Sequence, residues 1–126
     1  MEAYNGFMFR PPAPLARVTL RQMEGAREAT GVPMLIDTGA DITAVPRTAV
    51  VALQEQPFAS RLYEIGGLSG QSNWLSAIKL DLILANQTFR GQFVIVEQDW
   101  GIIGRNLLNQ LPVFLNGPFL SWQIAE

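Results

Sequence analysis

MLIDTGAD, residues 34–41, runs three apolar residues into Asp37, Thr38 and Gly39 and closes on a second acid, Asp41. A carboxylate at the tip of a buried strand is costly unless something holds it. Thr38 offers a hydroxyl for that task and Gly39 an unhindered backbone. Taken alone, Asp-Thr-Gly is equally an ordinary turn, since Asp and Gly are common turn residues. The rest of the chain has to decide between the two readings.

The chain has 126 residues, which suits one domain with a sizeable core and not two full lobes. With 48% apolar and 16% charged residues, its composition is that of a folded protein. A net charge of −2 lacks the basic footprint of a nucleic-acid binder. The chain contains neither Cys nor His. That removes disulfides, thiol nucleophiles, serine–histidine and cysteine–histidine triads, and the usual zinc sites. Chemistry is left to carboxylates, hydroxyls, Arg and Lys79, and neither a metal nor an organic cofactor is expected. Asp37 and Asp41 alone do not make an oxygen cage for magnesium. No apolar run approaches the roughly 18–20 residues that span a bilayer, and the first residues lack a secretory apolar region. The expectation is a soluble segment without membrane contact, cytoplasmic by default.

Residues 1–14, rich in proline toward their end, are expected to form an N-terminal arm, with one domain over 15–126. Alternation from Ala16 to Gln22 predicts a strand, residues 24–27 a turn, and Val32–Ile36 a short, fully apolar strand. Residues 47–56 predict a short helix stopped by Pro57. Residues 61–84 read as a long hairpin whose tip holds Gly66, Gly67, Ser69 and Gly70 and whose second arm alternates at Ile78, Leu80, Leu82 and Leu84. That register puts Asp81, the other aspartate near an apolar strand, on the outward face. A turn at 85–87, a strand over 88–97, a short helix from Arg105 and a hairpin around Asn116-Gly117 complete the reading. Short strands with one or two brief helices predict a mainly β, closed barrel. The glycine cluster is not a phosphate cradle, because it leads into a strand and lacks Gly-Lys-Ser/Thr.

Three motifs in order, DTGAD at 37–41, IGGLSG at 65–70 and IIGRNLL at 102–108, resemble the retropepsins, the retroviral-type aspartic proteases. The resemblance covers roughly residues 15–116 and implies the retropepsin barrel with a flap hairpin. It implies Asp37 as the catalytic aspartate, Thr38 as the hydroxyl locking two active-site loops together, and Gly39 as the residue whose carbonyl receives the substrate backbone. Ala40 and Asp41 would continue that contact. Gly66, Gly67 and Leu68 match the flap tip, and Arg105 matches an arginine that pairs with the acid at the Asp41 position and braces the dimer. Leu35, Ala44, Ile65, Leu68, Trp100 and Ile102 align with apolar pocket walls, Trp100 being larger than the family's usual residue. The longer N-terminal arm and the extra C-terminal segment FLSWQI, 119–124, depart from the retroviral pattern.

Peptide hydrolysis by this route needs two carboxylates about 3 Å apart sharing one proton. One Asp-Thr-Gly is present, so the second carboxylate must come from another copy. A twofold homodimer acting on a peptide or protein substrate follows. The rate optimum is expected at about pH 4.5–6.5. The main alternative is a catalytically inactive dimer of the same fold that binds extended peptides by strand addition. A third reading is a β-domain that scaffolds a larger protein.

Overall fold

The computed structural model describes residues 1–62 and 73–125. In chain order the elements are β1 (Glu2–Ala3), β2 (Leu15–Arg21), β3 (Glu28–Ile36), β4 (Ala44–Pro46), α1 (Arg47–Leu53), β5 (Phe58–Leu62), β6 (Asn73–Leu84), β7 (Gln87–Val96), β8 (Gly101–Ile103), α2 (Arg105–Leu108), β9 (Val113–Asn116) and β10 (Ser121–Ile124). Six strands, ordered β2-β3-β8-β4-β7-β6, close into a barrel because β6 also pairs with β2. The expected mainly β closed barrel with one or two short helices is the architecture found, with two helices among the described residues.

Closure depends on the length of β6. Its first residues, Asn73–Ala77, pair with β5; Ala77–Leu84 pair with β7; and Asp81–Ile83 pair with β2. Ile78, Leu80 and Leu82 are essentially inaccessible, so the alternation in the sequence is the inward face of this strand. They join Val18, Leu20, Met34, Ile36, Leu53 and Ile103 in one core. Each such side chain stabilises the fold by about 1.5–3 kcal/mol relative to exposure. The turn from β6 to β7 uses Ala85 and Asn86, both at positive φ, which gives a two-residue hairpin twisted in the sense the strands require.

Two expected element bounds need correction, and the outward placement of Asp81 holds with one addition. β3 begins at Glu28 and not at Val32, because Leu20↔Ala29 and Arg21↔Glu28 continue the pairing with β2 beyond a register shift between Val18 and Leu20. Its polar first half is exposed, and the sequence shows only the buried second half as apolar. The helix over 47–56 ends at Leu53: Gln54 turns left-handed (φ 56), and the Gln22 side-chain amide donates to the Leu53 carbonyl at 2.9 Å. Asp81 lies on the face opposite Leu80 and Leu82 but is only 3% exposed. Arg90, its cross-strand neighbour, covers it and donates to both carboxylate oxygens, at 2.9 and 3.1 Å.

The chain termini form a second sheet, β1-β10-β9. The hairpin signal at Asn116-Gly117 is real, but its loop spans 117–120 and closes through Leu120 N–H donating to the Gly117 carbonyl at 2.9 Å. Residues 1–14 do not run as one extended arm: Glu2–Ala3 pair with β10, and Asn5 pairs with Ala13 to close the loop between them. No helix among the described residues is long and apolar enough to cross a membrane.

Candidate active site

β3 carries the apolar run of MLIDTGAD through the barrel and releases the chain at Asp37. Its last residues pair in parallel with β8, Met34↔Gly101, Leu35↔Ile102 and Ile36↔Ile103, and Asp37 N–H donates to the Ile103 carbonyl at 3.1 Å. The carboxylate therefore stands at the mouth of the sheet, half-buried, on a backbone fixed by strand pairing. Within the loop, Gly39 N–H donates to Asp37 Oδ1 at 2.9 Å and Ala40 N–H to the Asp37 carbonyl at 3.2 Å. One carboxylate oxygen is thus held by a backbone donor while Thr38 and Gly39 lie exposed beside it.

The loop is clamped from below by α2. Arg105 N–H donates to the Ala40 carbonyl at 2.9 Å and Asn106 N–H to the Asp41 carbonyl at 3.3 Å. The Arg105 guanidinium donates to the Thr38 carbonyl at 2.6 Å and pairs with the Asp41 carboxylate through its other terminal nitrogen. A planar fork suits this double grip, because it presents donors in two fixed directions.

A second layer of support involves residues that sequence reasoning does not single out. Thr43, 2% exposed, donates through Oγ1 to Asn106 Oδ1 at 2.8 Å and accepts from Gly104 N–H at 3.0 Å. The hydroxyl is satisfied twice and ties the far end of the loop to the start of α2. Gly104 sits so close to this loop that a Cβ there would lie 2.3 Å from the Ile42 carbonyl oxygen. A threonine among apolar neighbours in ITAVP is the available signal, since a buried hydroxyl implies a partner.

The apolar residues assigned to pocket walls are partly gathered. Leu35 and Ile102 are adjacent across β3 and β8 and half-buried, whereas Ala44, paired with Ile102, is buried in the single chain. Trp100 packs edge-on against Phe9, with ring centroids 5.0 Å apart at 72°. Phe9 comes from the loop between Asn5 and Ala13, so the N-terminal segment supports this indole, a contact with no local signal in the sequence. Ile65, Gly66, Gly67 and Leu68 lie outside the described residues, although the arms beside them pair as far as Leu62↔Asn73.

Comparison with known proteins bears on this geometry. The sequence pattern of the retroviral aspartyl protease family matches residues 11–116. The chain belongs to this family. The match spans the Asp37 loop, α2 and β9 of this retroviral-type protease chain, and membership supports an aspartic protease activity in general. Among solved structures, EIAV protease complexed with the inhibitor HBY-793 is similar, with a TM-score of 0.57 and 18% identity over 78% of this chain and 86% of that one. At that identity the likeness is one of fold. No curated protein sequence matches the chain significantly.

Proposed function

We propose that the chain is one half of an aspartic endopeptidase whose active site forms when Asp37 meets the Asp37 of a second copy across a twofold axis. The observation that carries this reading is the Asp37 loop: a single carboxylate, half-exposed, held by the Gly39 N–H and braced from beneath by Arg105. One such loop per chain supplies one carboxylate, and the chemistry needs two.

In the assembled site the two carboxylates share one proton. The ionised one takes a proton from a water as its oxygen bonds to the scissile carbonyl carbon; the protonated one donates to the carbonyl oxygen. The resulting tetrahedral diol collapses as the newly protonated carboxyl gives its proton to the nitrogen, the other carboxylate takes a proton from a diol hydroxyl and the C–N bond breaks, which leaves the pair sharing one proton again. Thr38 joins the two loops, while Gly39, Ala40 and Asp41 present backbone to an extended substrate. The glycine-rich segment with Gly66, Gly67 and Leu68 covers the substrate from the other side, and Leu35, Ala44, Ile65, Trp100 and Ile102 favour apolar or aromatic residues beside the cleaved bond. Neither metal nor cofactor enters a step.

The decisive comparison is cleavage of a peptide library at mildly acidic pH by the wild-type chain and by Asp37→Asn. Loss of cleavage in the variant supports the catalytic role. Equal cleavage by both ends it, and binding of extended peptides without cleavage by the wild-type chain favours the inactive peptide-gripping alternative.

A further inference from the structure

We propose that the loop between Asn5 and Ala13 forms an outer wall of the substrate cleft, on which Phe7 receives an apolar or aromatic side chain of the peptide beyond those that flank the cleaved bond. The inference rests on the endopeptidase reading of the Asp37 site and adds a specificity-determining residue to it.

The first observation is where the loop is anchored. Its far end runs into β2 beside the strand that carries Asp37: the Pro14 carbonyl accepts from Ile36 N–H at 3.0 Å, and Leu15 pairs with Leu35. Its middle reaches the other strand of the site, because Phe9 packs against Trp100, which leads directly into β8. The Trp100 backbone is fixed as well, its carbonyl accepting from the Gln98 side-chain amide at 2.9 Å. The loop is thus tied both to β3, which ends at Asp37, and to the start of β8, whose Ile103 carbonyl holds the Asp37 N–H.

The second observation is that the loop is held in one shape. Asn5 and Ala13 exchange both backbone hydrogen bonds, at 2.7 and 3.1 Å, and Asn5 Oδ1 accepts from Phe7 N–H at 3.0 Å and from Met8 N–H at 2.7 Å. Pro12 packs against the turn, since a Cβ at Gly6 would stand 3.3 Å from its Cγ. A loop fixed before binding loses little conformational freedom when it meets a ligand. The third observation is exposure. On this fixed support Phe7 is 95% exposed and Met8 38%, whereas Phe9 is half-buried against Trp100. A phenyl ring left in water adds almost nothing to the fold, so its apolar surface is available to stabilise a complex.

An extended peptide is the occupant this placement selects. Trp100 stands among the residues that favour apolar side chains beside the cleaved bond, Phe9 covers it, and Phe7 lies two residues further along the same loop, so apolar surface continues outward from the cleft. An extended chain turns alternate side chains to one face. A residue two or four positions beyond the one that meets Trp100 therefore faces the same wall. In a twofold dimer each copy brings one such loop, so both ends of the peptide meet a Phe7. The contact is remote from the reacting atoms and equal in ground and transition states, which places its effect in KM and not in kcat.

The test uses peptides with one cleavable core that carry Phe or Ser in turn at the third, fourth and fifth residues on each side of the cleaved bond. They are cleaved by the wild-type chain, by Phe7→Ala, whose side chain stands in water so that its truncation spares the fold, and by Val51→Ala, which alters an exposed apolar residue of α1. The wild-type chain should favour Phe over Ser at an outer position by about tenfold in kcat/KM, through KM; Phe7→Ala should bring that ratio near one, and Val51→Ala should keep it. Cleavage by the wild-type chain without an outer preference, a preference that survives in Phe7→Ala, or a loss shared by Val51→Ala overturns the wall and leaves the endopeptidase reading standing. A surviving preference does so even where sedimentation shows Phe7→Ala pairing less tightly, a result that would give the loop to the second copy instead. Failure of the wild-type chain to cleave any of the peptides, at concentrations where it is dimeric, overturns the endopeptidase reading itself and this inference with it.

Discussion

Replacing Gly104 by alanine adds one methyl group under the Asp37 loop, and the structure fixes what it meets. The new Cβ would stand 2.3 Å from the Ile42 carbonyl oxygen, 2.6 Å from its carbon and 2.9 Å from the Ile42 nitrogen, all of them backbone. Restoring ordinary contact requires a retreat of about 1 Å, and no flexible side chain can take it up. The backbone at Gly104 is extended (φ −92, ψ −178), so alanine is acceptable there in conformation and the cost is purely one of space. Overpacking of this kind costs about 1–3 kcal/mol, equivalent to a fall in Tm of roughly 5–15 °C in a domain this size. Because Ile42 follows Asp41 in the loop that carries Asp37, the displacement passes to the carboxylate, and a misplacement of about 1 Å lowers kcat by about 100-fold. Thermal melting and peptide cleavage should be measured together, with Gly91→Ala, whose Cβ meets nothing within 4 Å, as the control. A Gly104→Ala protein that melts and cleaves like the wild type would refute the claim that this approach sets the loop.

Arg105→Lys keeps the charge but loses the fork that reaches both the Thr38 carbonyl and Asp41, so kcat should fall by about tenfold or more while the protein stays folded; unchanged kcat would remove Arg105 from the bracing role. The Arg90 guanidinium, through its hydrogen bonds, holds the Asp81 carboxyl below the usual carboxylate range despite opposing burial, with further help from the charges of Arg90 and Arg21. A depressed folded-state value means the stabilisation is present above the unfolded value, about 3.9, and is lost as pH falls through the folded one. Asp81→Asn should therefore lower Tm at pH 6–7, and the gap to the wild type should close below about pH 4; a gap that persists in acid contradicts the assignment. Truncating Phe9 to alanine frees the Trp100 indole, and selectivity among apolar side chains beside the cleaved bond should change with little change in Tm; an unaltered cleavage pattern would mean the contact does not shape the cleft.

Features that depend on neighbours along the chain are legible in the amino-acid sequence. Strict alternation from Ile78 to Leu84 marks the inward face of β6, and three apolar residues ending at an aspartate mark the end of β3, because strand burial has a period of two. Pairings between distant segments are not legible in this way. Thr43 meets Asn106 across 63 residues, and nothing local to either residue names the other. Phe9 and Trp100 are equally remote. Asp81–Arg90 is an intermediate case: once the turn is centred on Ala85-Asn86, Leu84↔Gln87 fixes the register that sets Asp81 opposite Arg90, so the ion pair follows from the hairpin. The end of α1 at Leu53 is not set by Pro57: the left-handed turn at Gln54 ends it, and the Leu53 carbonyl is taken up by Gln22, a residue of another segment.

The claim that one site is built from two chains is tested most directly by mixing. A fixed amount of the wild-type chain is refolded with an equal amount of Asp37→Asn chain under conditions where every chain is paired, and initial cleavage rate is recorded. If each site needs Asp37 from both copies, random pairing leaves half the wild-type chains in mixed, inactive dimers, and the rate falls to about half that of the wild-type chain alone. A rate unaffected by the added variant, with mixed dimers shown to be present, would mean that one chain suffices and would contradict the account.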